Sequence, residues 1–260
     1  MYDKIYVINL DKSTDRLEKV AKQLNDSGLV FERFPAVNGY NINIKDLNDK
    51  SIFTGQDIKD KKVKIDYKHT YQIDCNYSLD YQTKFDYKSK SMKARDLGMT
   101  AGELGLWCSN LIVWKMALKE GYSSIVVFED DIKINNVTNF KKKLGDFVDH
   151  IPETFDIAYV DLAIGRKSKI KGNDYVSKIL KNIATYGTWA VAYSDKGIKK
   201  LLDFSLYTYP IDLFLNSKNS LKASSKQLKQ EKDWLELYVA SEDLLDVSGD
   251  NSTIFEMGRY

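Results

Sequence analysis

The sequence is poor in most of the residues that announce a specialised class of protein. It has 2 cysteines, Cys75 and Cys108. That is too few for a disulfide scaffold, and both read as reduced thiols. With 3 prolines, collagenous, mucin-like and Pro-rich-linker architectures are excluded. There are 2 histidines, His69 and His150. Neither an H-E-x-x-H nor a paired-Cys motif accompanies them, so no zinc site is expected. Without a G-x-S-x-G sequence, a Ser-His-Asp hydrolase is a poor fit. The phosphate fingerprints G-x-G-x-x-G and G-x-x-x-x-G-K-[ST] are also missing. No run of about 18 apolar residues offers a membrane span. An excess of one charge sign is lacking too, since 39 Lys+Arg against 37 Asp+Glu leave +2. Nucleic acid is therefore not an expected partner, because bulk charge cannot hold it. No basic leader precedes the first apolar run. A cytoplasmic location is expected, with peripheral contact at the inner face of the membrane.

What is present is an ordinary globular composition, 43% hydrophobic and 29% charged, over 260 residues. That length suits a single domain over 1–260, with an insertion at about 41–98. The opening reads as a strand, Ile5 to Leu10, then a helix. Leu17, Val20, Ala21 and Leu24 recur at helical spacing. Ser13 suits the N-cap, Asp15 the first turn and Gly28 the C′ position. A second strand is expected from Val30 to Phe34, ended by Pro35. A strand–helix–strand unit with short connections begins a parallel α/β sheet.

Residues 41–98 are rich in Lys, Asp, Asn and Tyr, with weak periodicity. Two readings stand open: a polar insertion with a few short elements, or a mobile lid whose tyrosines (Tyr67, Tyr71, Tyr77, Tyr81, Tyr87) stack on sugars. Periodicity returns at Thr100-Ala101-Gly102-Glu103, a capping box. Leu104, Trp107, Leu111, Trp114 and Leu118 follow on one helical face, which makes both tryptophans core residues. Gly121 ends the helix. Ser124 to Phe128 reads as a buried parallel strand. Further strands are expected at Phe155–Leu162 and Thr185–Tyr193. Ser194 would cap a helix from about Lys196 to Phe204. Lys218 to Lys232 reads as a surface helix or loop.

Two segments carry chemistry. Glu129-Asp130-Asp131 directly follows the buried strand. Three adjacent carboxylates repel one another and raise one another's pKa unless something positive sits among them. Their oxygens are hard ligands, suited to Mg²⁺ or Mn²⁺. The carboxyl ends of strands in an open α/β sheet are where ligands bind. A solvated acidic turn is the plain alternative. The second segment, Asn9 to Arg16, joins the first strand to the first helix. A helix N-terminus favours a phosphate, and Arg16 adds a fork of donors. Simple helix capping would explain the same residues.

Four blocks together resemble the lipooligosaccharide/lipopolysaccharide galactosyltransferases of glycosyltransferase family 25. They are Ile5 to Asp11 with Ser13, Asp15 and Arg16; Phe31 to Gly39; Thr100 to Gly105 through Ser109 and Trp114; and Phe128 to Asp131. Weaker matches follow at Tyr186-Gly187-Thr188, Pro210-Ile211-Asp212 and Ser252-Thr253-Ile254. The resemblance covers most of the chain except 41–98 and roughly 216–238. It implies a GT-A-like α/β fold, with a mostly parallel central sheet flanked by helices. It also implies transfer of a hexose, usually galactose, from a UDP-sugar donor to a glycan or lipooligosaccharide acceptor, with inversion. Carried over, Asn9, Ser13 and Arg16 would line the nucleotide, and Glu129-Asp130-Asp131 takes the place of the family's acidic motif, with Asp131 on the cation. One departure is Ser109-Asn110, where members usually have Ser-His, and Asn110 cannot act as a base. Inverting displacement needs a base for the acceptor proton. Asp212 is the first candidate and Glu103 the second, although Glu103 would also complete the capping box. Two rivals remain: a catalytically inactive carbohydrate-binding relic, and a sugar nucleotidyltransferase. The second lacks its usual Gly-rich basic loop after Leu10.

Overall fold

The structure is a computed structural model describing residues 2–46, 52–60, 70–74, 82–86, 100–161, 167–179, 187–203, 211, 215 and 235–247. The first apolar run forms β1 (Lys4–Asn9), followed by α1 (Thr14–Asp26) and β2 (Glu32–Pro35). Gly28 ends α1 with φ +72°, the left-handed conformation that glycine adopts most easily. The second strand starts at Glu32 rather than Val30, which is 89% exposed. A 3-10 turn at Gly39–Asn41 leads to β3 (Asn43–Asp46), β4 (Ile52–Thr54), α2 (Gly55–Lys59), β5 (Thr70–Asp74) and β6 (Gln82–Asp86). Next come α3 (Ala101–Lys119), β7 (Ser124–Glu129), β8 (Ile132–Ile134), α4 (Val137–Asp149) and β9 (Ile157–Tyr159). The chain continues with β10 (Lys167–Ile170), β11 (Asn173–Ile179), β12 (Ala190–Ser194), α5 (Asp195–Asp203), β13 (Leu237–Ala240) and β14 (Leu245–Val247).

Eight strands make the central sheet, in the order β10-β11-β13-β9-β12-β7-β1-β2. Pairing is parallel for β2·β1, β1·β7 and β9·β13 and antiparallel elsewhere, so only β11 and β12 run against the other six. The α/β class and the mostly parallel sheet are as the sequence implies. Alternate residues of each strand feed two apolar layers. Ile5, Val7, Val126 and Phe128 pack with Val20 and Leu24 of α1 and with Phe140, Leu144 and Phe147 of α4. Tyr6, Ile8, Ile125 and Val127 pack with Trp107, Leu111 and Trp114 of α3 and Ile198 and Leu201 of α5. Both layers being apolar explains why β1 and β7 read as continuous apolar runs.

The tryptophans are core, as their spacing predicts: Trp107 and Trp114 are fully buried, edge to face at 6.1 Å. The capping box also forms, with Thr100 N donating to Glu103 Oε2 at 2.7 Å and Glu103 N to Thr100 Oγ1 at 3.2 Å. Ser194 caps α5, its Oγ accepting from Gly197 N at 2.9 Å. Helix α4 has its own legible signal, Phe140, Leu144, Phe147 and Val148 behind an Asn136 cap, which the sequence reading passed over. Residues 218–232 lie outside the described residues, as do Tyr67, Tyr77, Tyr81, Tyr87, His69 and Cys75.

The segment at 41–98 carries more apolar contact than a polar insertion would. Its described parts form a four-stranded antiparallel sheet, β4-β3-β5-β6. Ile44, Ile58 and Ile73 are buried in the same layer as α3. Three glycines fix it there. A Cβ on Gly39 would lie 1.5 Å from Ala101 O, one on Gly55 1.7 Å from Gly39 O, and one on Gly105 2.5 Å from Val37 O. The turn at Gly39 is therefore pressed between α3 and the start of α2. Among the described residues, no helix is long and apolar enough to cross a membrane.

Candidate active site

Strand order explains where the site lies. Helix α1 takes the chain from β1 to β2 on one side, and the chain later returns to β7 on the other side of β1. A crevice opens outside the carboxyl ends of two parallel strands where the winding reverses. Here the two ends are Asn9 to Arg16 and Glu129 to Asp131. A cavity of about 290 Å³ lies there, walled by Leu10, Lys12 and Arg16 on one side and by Glu129, Asp130 and Asp131 on another. Val37 to Tyr40, Lys59 of α2, and Gly102, Leu106 and Ser109 of α3 complete it.

The sequence candidates do not all reach this cavity. Asp130, with a side chain 12% exposed, accepts from Asn9 Nδ2 at 2.7 Å and pairs with Arg16 Nη1 at 3.3 Å. Asn9 itself is 1% exposed and does not line the cavity. Its amide also donates to Ser13 O at 2.9 Å, while its Oδ1 accepts from Arg33 Nε at 3.0 Å. Asn9 is thus a buried prop that aims Asp130 and is not part of the cavity wall. Arg33, quoted only as part of a matching block, sets which way that amide points and also pairs with Asp11. Ser13 occupies the N-cap of α1, but its side chain makes no capping bond and it does not line the cavity.

Glu129 accepts from Thr188 Oγ1 at 2.9 Å. Asp131 is 8% exposed. Burial raises its pKa first and the neighbouring Asp130 carboxylate second, while Arg16 pulls it down. Directly after it, β8 is gripped from two sides. Gln23 of α1 bonds Ile134 N and Ile132 O, and β14 pairs with it antiparallel. Among the described residues, no three His, Cys, Asp or Glu side chains converge to hold a metal.

Of the two candidate bases, Asp212 lies outside the described residues. Its helical neighbours Ile211 and Leu215 are buried in the α3 layer. Glu103 is engaged in the capping box and does not line the cavity. In the described geometry the carboxylate satisfies the first turn of α3. Ser109 is structural as well as lining. Its Oγ accepts from Val37 N at 2.9 Å and donates to Gly105 O at 2.7 Å. Asn110 turns its amide back to Leu106 O at 3.0 Å and does not line the cavity. The missing histidine therefore takes nothing from the described cavity wall.

Comparison with known proteins gives a consistent result. A family profile described as glycosyltransferase family 25 (LPS biosynthesis protein) matches residues 2–215. A glycosyltransferase 25 family member of Anopheles gambiae is 27% identical over 208 residues, 76% of this chain and 28% of its own. Procollagen galactosyltransferase 2 of Homo sapiens is 25% identical over 221 residues, 82% of this chain and 30% of its own. A Bos taurus relative named "Probable inactive glycosyltransferase 25 family member 3" is 24% identical over 205 residues, 77% of this chain and 29% of its own. The chain thus spans under a third of the length of these curated relatives.

Proposed function

Because the chain belongs to glycosyltransferase family 25, we propose that it transfers a hexose, galactose, from a UDP-sugar to a hydroxyl of a glycan acceptor, with inversion. The observation that carries this reading is the cavity at the β1/β7 switch point, whose lining brings together three carboxylates and three cations. A lipooligosaccharide at the cytoplasmic membrane face is the acceptor that the sequence resemblance favours. That the human relative is named a procollagen galactosyltransferase supports galactose as the sugar.

Mg²⁺ or Mn²⁺ on a nucleotide takes most of its ligands from phosphate and water, and asks a protein for one or two carboxylates. The site fits that demand. Asp130 is turned toward Asn9 and Arg16, which leaves Asp131 as the carboxylate to hold the ion. Bound there, the cation would offset charge on the leaving diphosphate. Arg16 pairs with Asp130 and adds positive charge near the phosphates. Thr188 orients Glu129 at the cavity wall. Asp212 is the proposed base, taking the acceptor hydroxyl proton as the glycosidic bond forms.

Thermal-shift screening of UDP-, GDP-, CMP- and dTDP-sugars, with and without Mn²⁺, tests the donor and the ion together. Stabilisation by UDP-galactose with Mn²⁺ above the others is the expected outcome. Hydrolysis of UDP-galactose then separates an enzyme from an inactive sugar-binding relic. Asp212→Asn should lower turnover by a factor on the order of 10²–10⁴, the usual share of general base catalysis, with UDP affinity unchanged. Unaltered turnover would remove Asp212 from the mechanism.

A further inference from the structure

Lys59 belongs to the segment at 41–98, which the family-matching blocks do not include, yet it lines the cavity beside the acids. Two closely packed glycines fix its place. Gly55, at the start of α2, is seated on the carbonyl of Gly39, and Gly39 is seated on Ala101 of α3. Lys59 lies four residues on, about one helical turn, roughly 6 Å along the axis. Its Nζ rests 5.4 Å over the ring of Tyr40, the residue after Gly39. Asn38 Oδ1 accepts from Tyr40 N at 3.1 Å and fixes that turn. Among the described residues, neither Lys59 nor Lys12 meets a carboxylate, whereas Arg16 is paired with Asp130.

An ammonium held over a ring at a cavity wall, with no carboxylate partner among the described residues, is a point charge suited to phosphate oxygens. A sugar hydroxyl is neutral and gains little from it; a diphosphate gains much. No side-chain cap covers the first turn of α1 beside Lys12, which leaves that end open to an anion. We propose that Lys59, with Lys12, binds the phosphoryl groups of the donor, so that helix α2 of the inserted segment supplies part of the donor site. This rests on the donor reading above, and it makes Lys59 a binding residue that the resemblance did not supply.

Calorimetry with UDP, uridine and inorganic pyrophosphate, at two salt concentrations, tests it. Lys59 is exposed, so Lys59→Ala should fold with an unchanged melting temperature. It should bind UDP and pyrophosphate on the order of 10-fold more weakly, the share of one charge-assisted hydrogen bond. Its salt dependence should be flatter and its uridine affinity unchanged, and Lys59→Arg should recover most of the loss. Unchanged UDP and pyrophosphate affinity in Lys59→Ala would overturn the assignment and leave the donor reading standing. An equal loss for uridine would also overturn it, since Lys59 would then act through structure. Pyrophosphate binding that depends on Lys59, with no UDP binding by the unaltered protein, would keep the phosphoryl site and remove the donor reading. Binding of neither probe by the unaltered protein would overturn both.

Discussion

Asp131 shows how one residue is set between function and stability. Burial and the adjacent Asp130 both oppose its ionisation, so its pKa lies above the ordinary carboxylate value. A carboxyl whose folded pKa is raised contributes stability when protonated, and that stability is lost as pH rises through the folded pKa. Wherever Asp131 is ionised it therefore costs the fold something that a bound cation would offset. Asp131→Asn should abolish transfer yet raise the melting temperature at neutral pH. The gain should be about 0.5–2 kcal/mol, the usual size for relieving a destabilised functional site. It should shrink as pH falls through the carboxylate range, where the unaltered residue also becomes neutral. Thermal melts of both proteins at several pH values check this. A variant that melts lower at neutral pH would mean that Asp131 is held by partners that favour its charge.

Elements differ in how far the sequence disclosed them. Helices α1 and α3 were legible with their ends, because spacing, caps and terminal glycines are local signals. β7 was legible with its acids because a fully buried strand is apolar throughout. The contacts that assemble the site were not. Asn9 reads as a nucleotide ligand until Arg33, 24 residues away, is seen to orient it toward Asp130. Thr188, two residues before β12, meets Glu129 at the end of the neighbouring strand β7. Glu103 shows the reverse case, where the local signal alone announces the capping box that the structure forms. The inserted sheet and its helix α2 were hidden because their buried isoleucines, Ile44, Ile58 and Ile73, are sparse and meet only on folding.

The glycines make that hidden docking measurable. Gly39→Ala and Gly55→Ala would each place a methyl within 2 Å of a backbone oxygen. Backbone must move, so each should cost at least about 3 kcal/mol, the upper part of the overpacking range. Gly121→Ala meets nothing within 4 Å but sits at φ +72°, and should cost about 1 kcal/mol. Gly145→Ala, inside α4 with open space around it, should gain roughly 0.5–1 kcal/mol from helix propensity. Urea unfolding ranks all four. A Gly55→Ala variant as stable as Gly121→Ala would mean that α2 does not rest on the turn at Gly39.

Across the whole molecule, residues from both ends of the chain are brought to the acid motif. The first third supplies Asn9, Arg16 and Gln23, and the last described strand, β14, pairs with the segment that follows Asp131. β14 is itself anchored from the sheet. Asp161, at the end of β9 and 9% exposed, accepts from Leu245 N at 3.0 Å, and Asn135 Nδ2 reaches Leu245 O at 3.2 Å. The carboxylate of Asp161 is thus connected to the segment after Asp131 through β14 and β8, without lining the cavity. Asp161→Ala leaves a buried N–H without that acceptor, which should cost about 1–3 kcal/mol. Loosening β14 should also loosen β8 and the residue just before it. UDP binding with Mn²⁺ should therefore weaken beyond what the loss of stability explains, and remain weak at temperatures far below the melting point. Asp161→Asn keeps an acceptor oxygen and should restore much of the binding. If Asp161→Ala melts lower but binds UDP with Mn²⁺ normally, β14 stabilises the fold without positioning the acids.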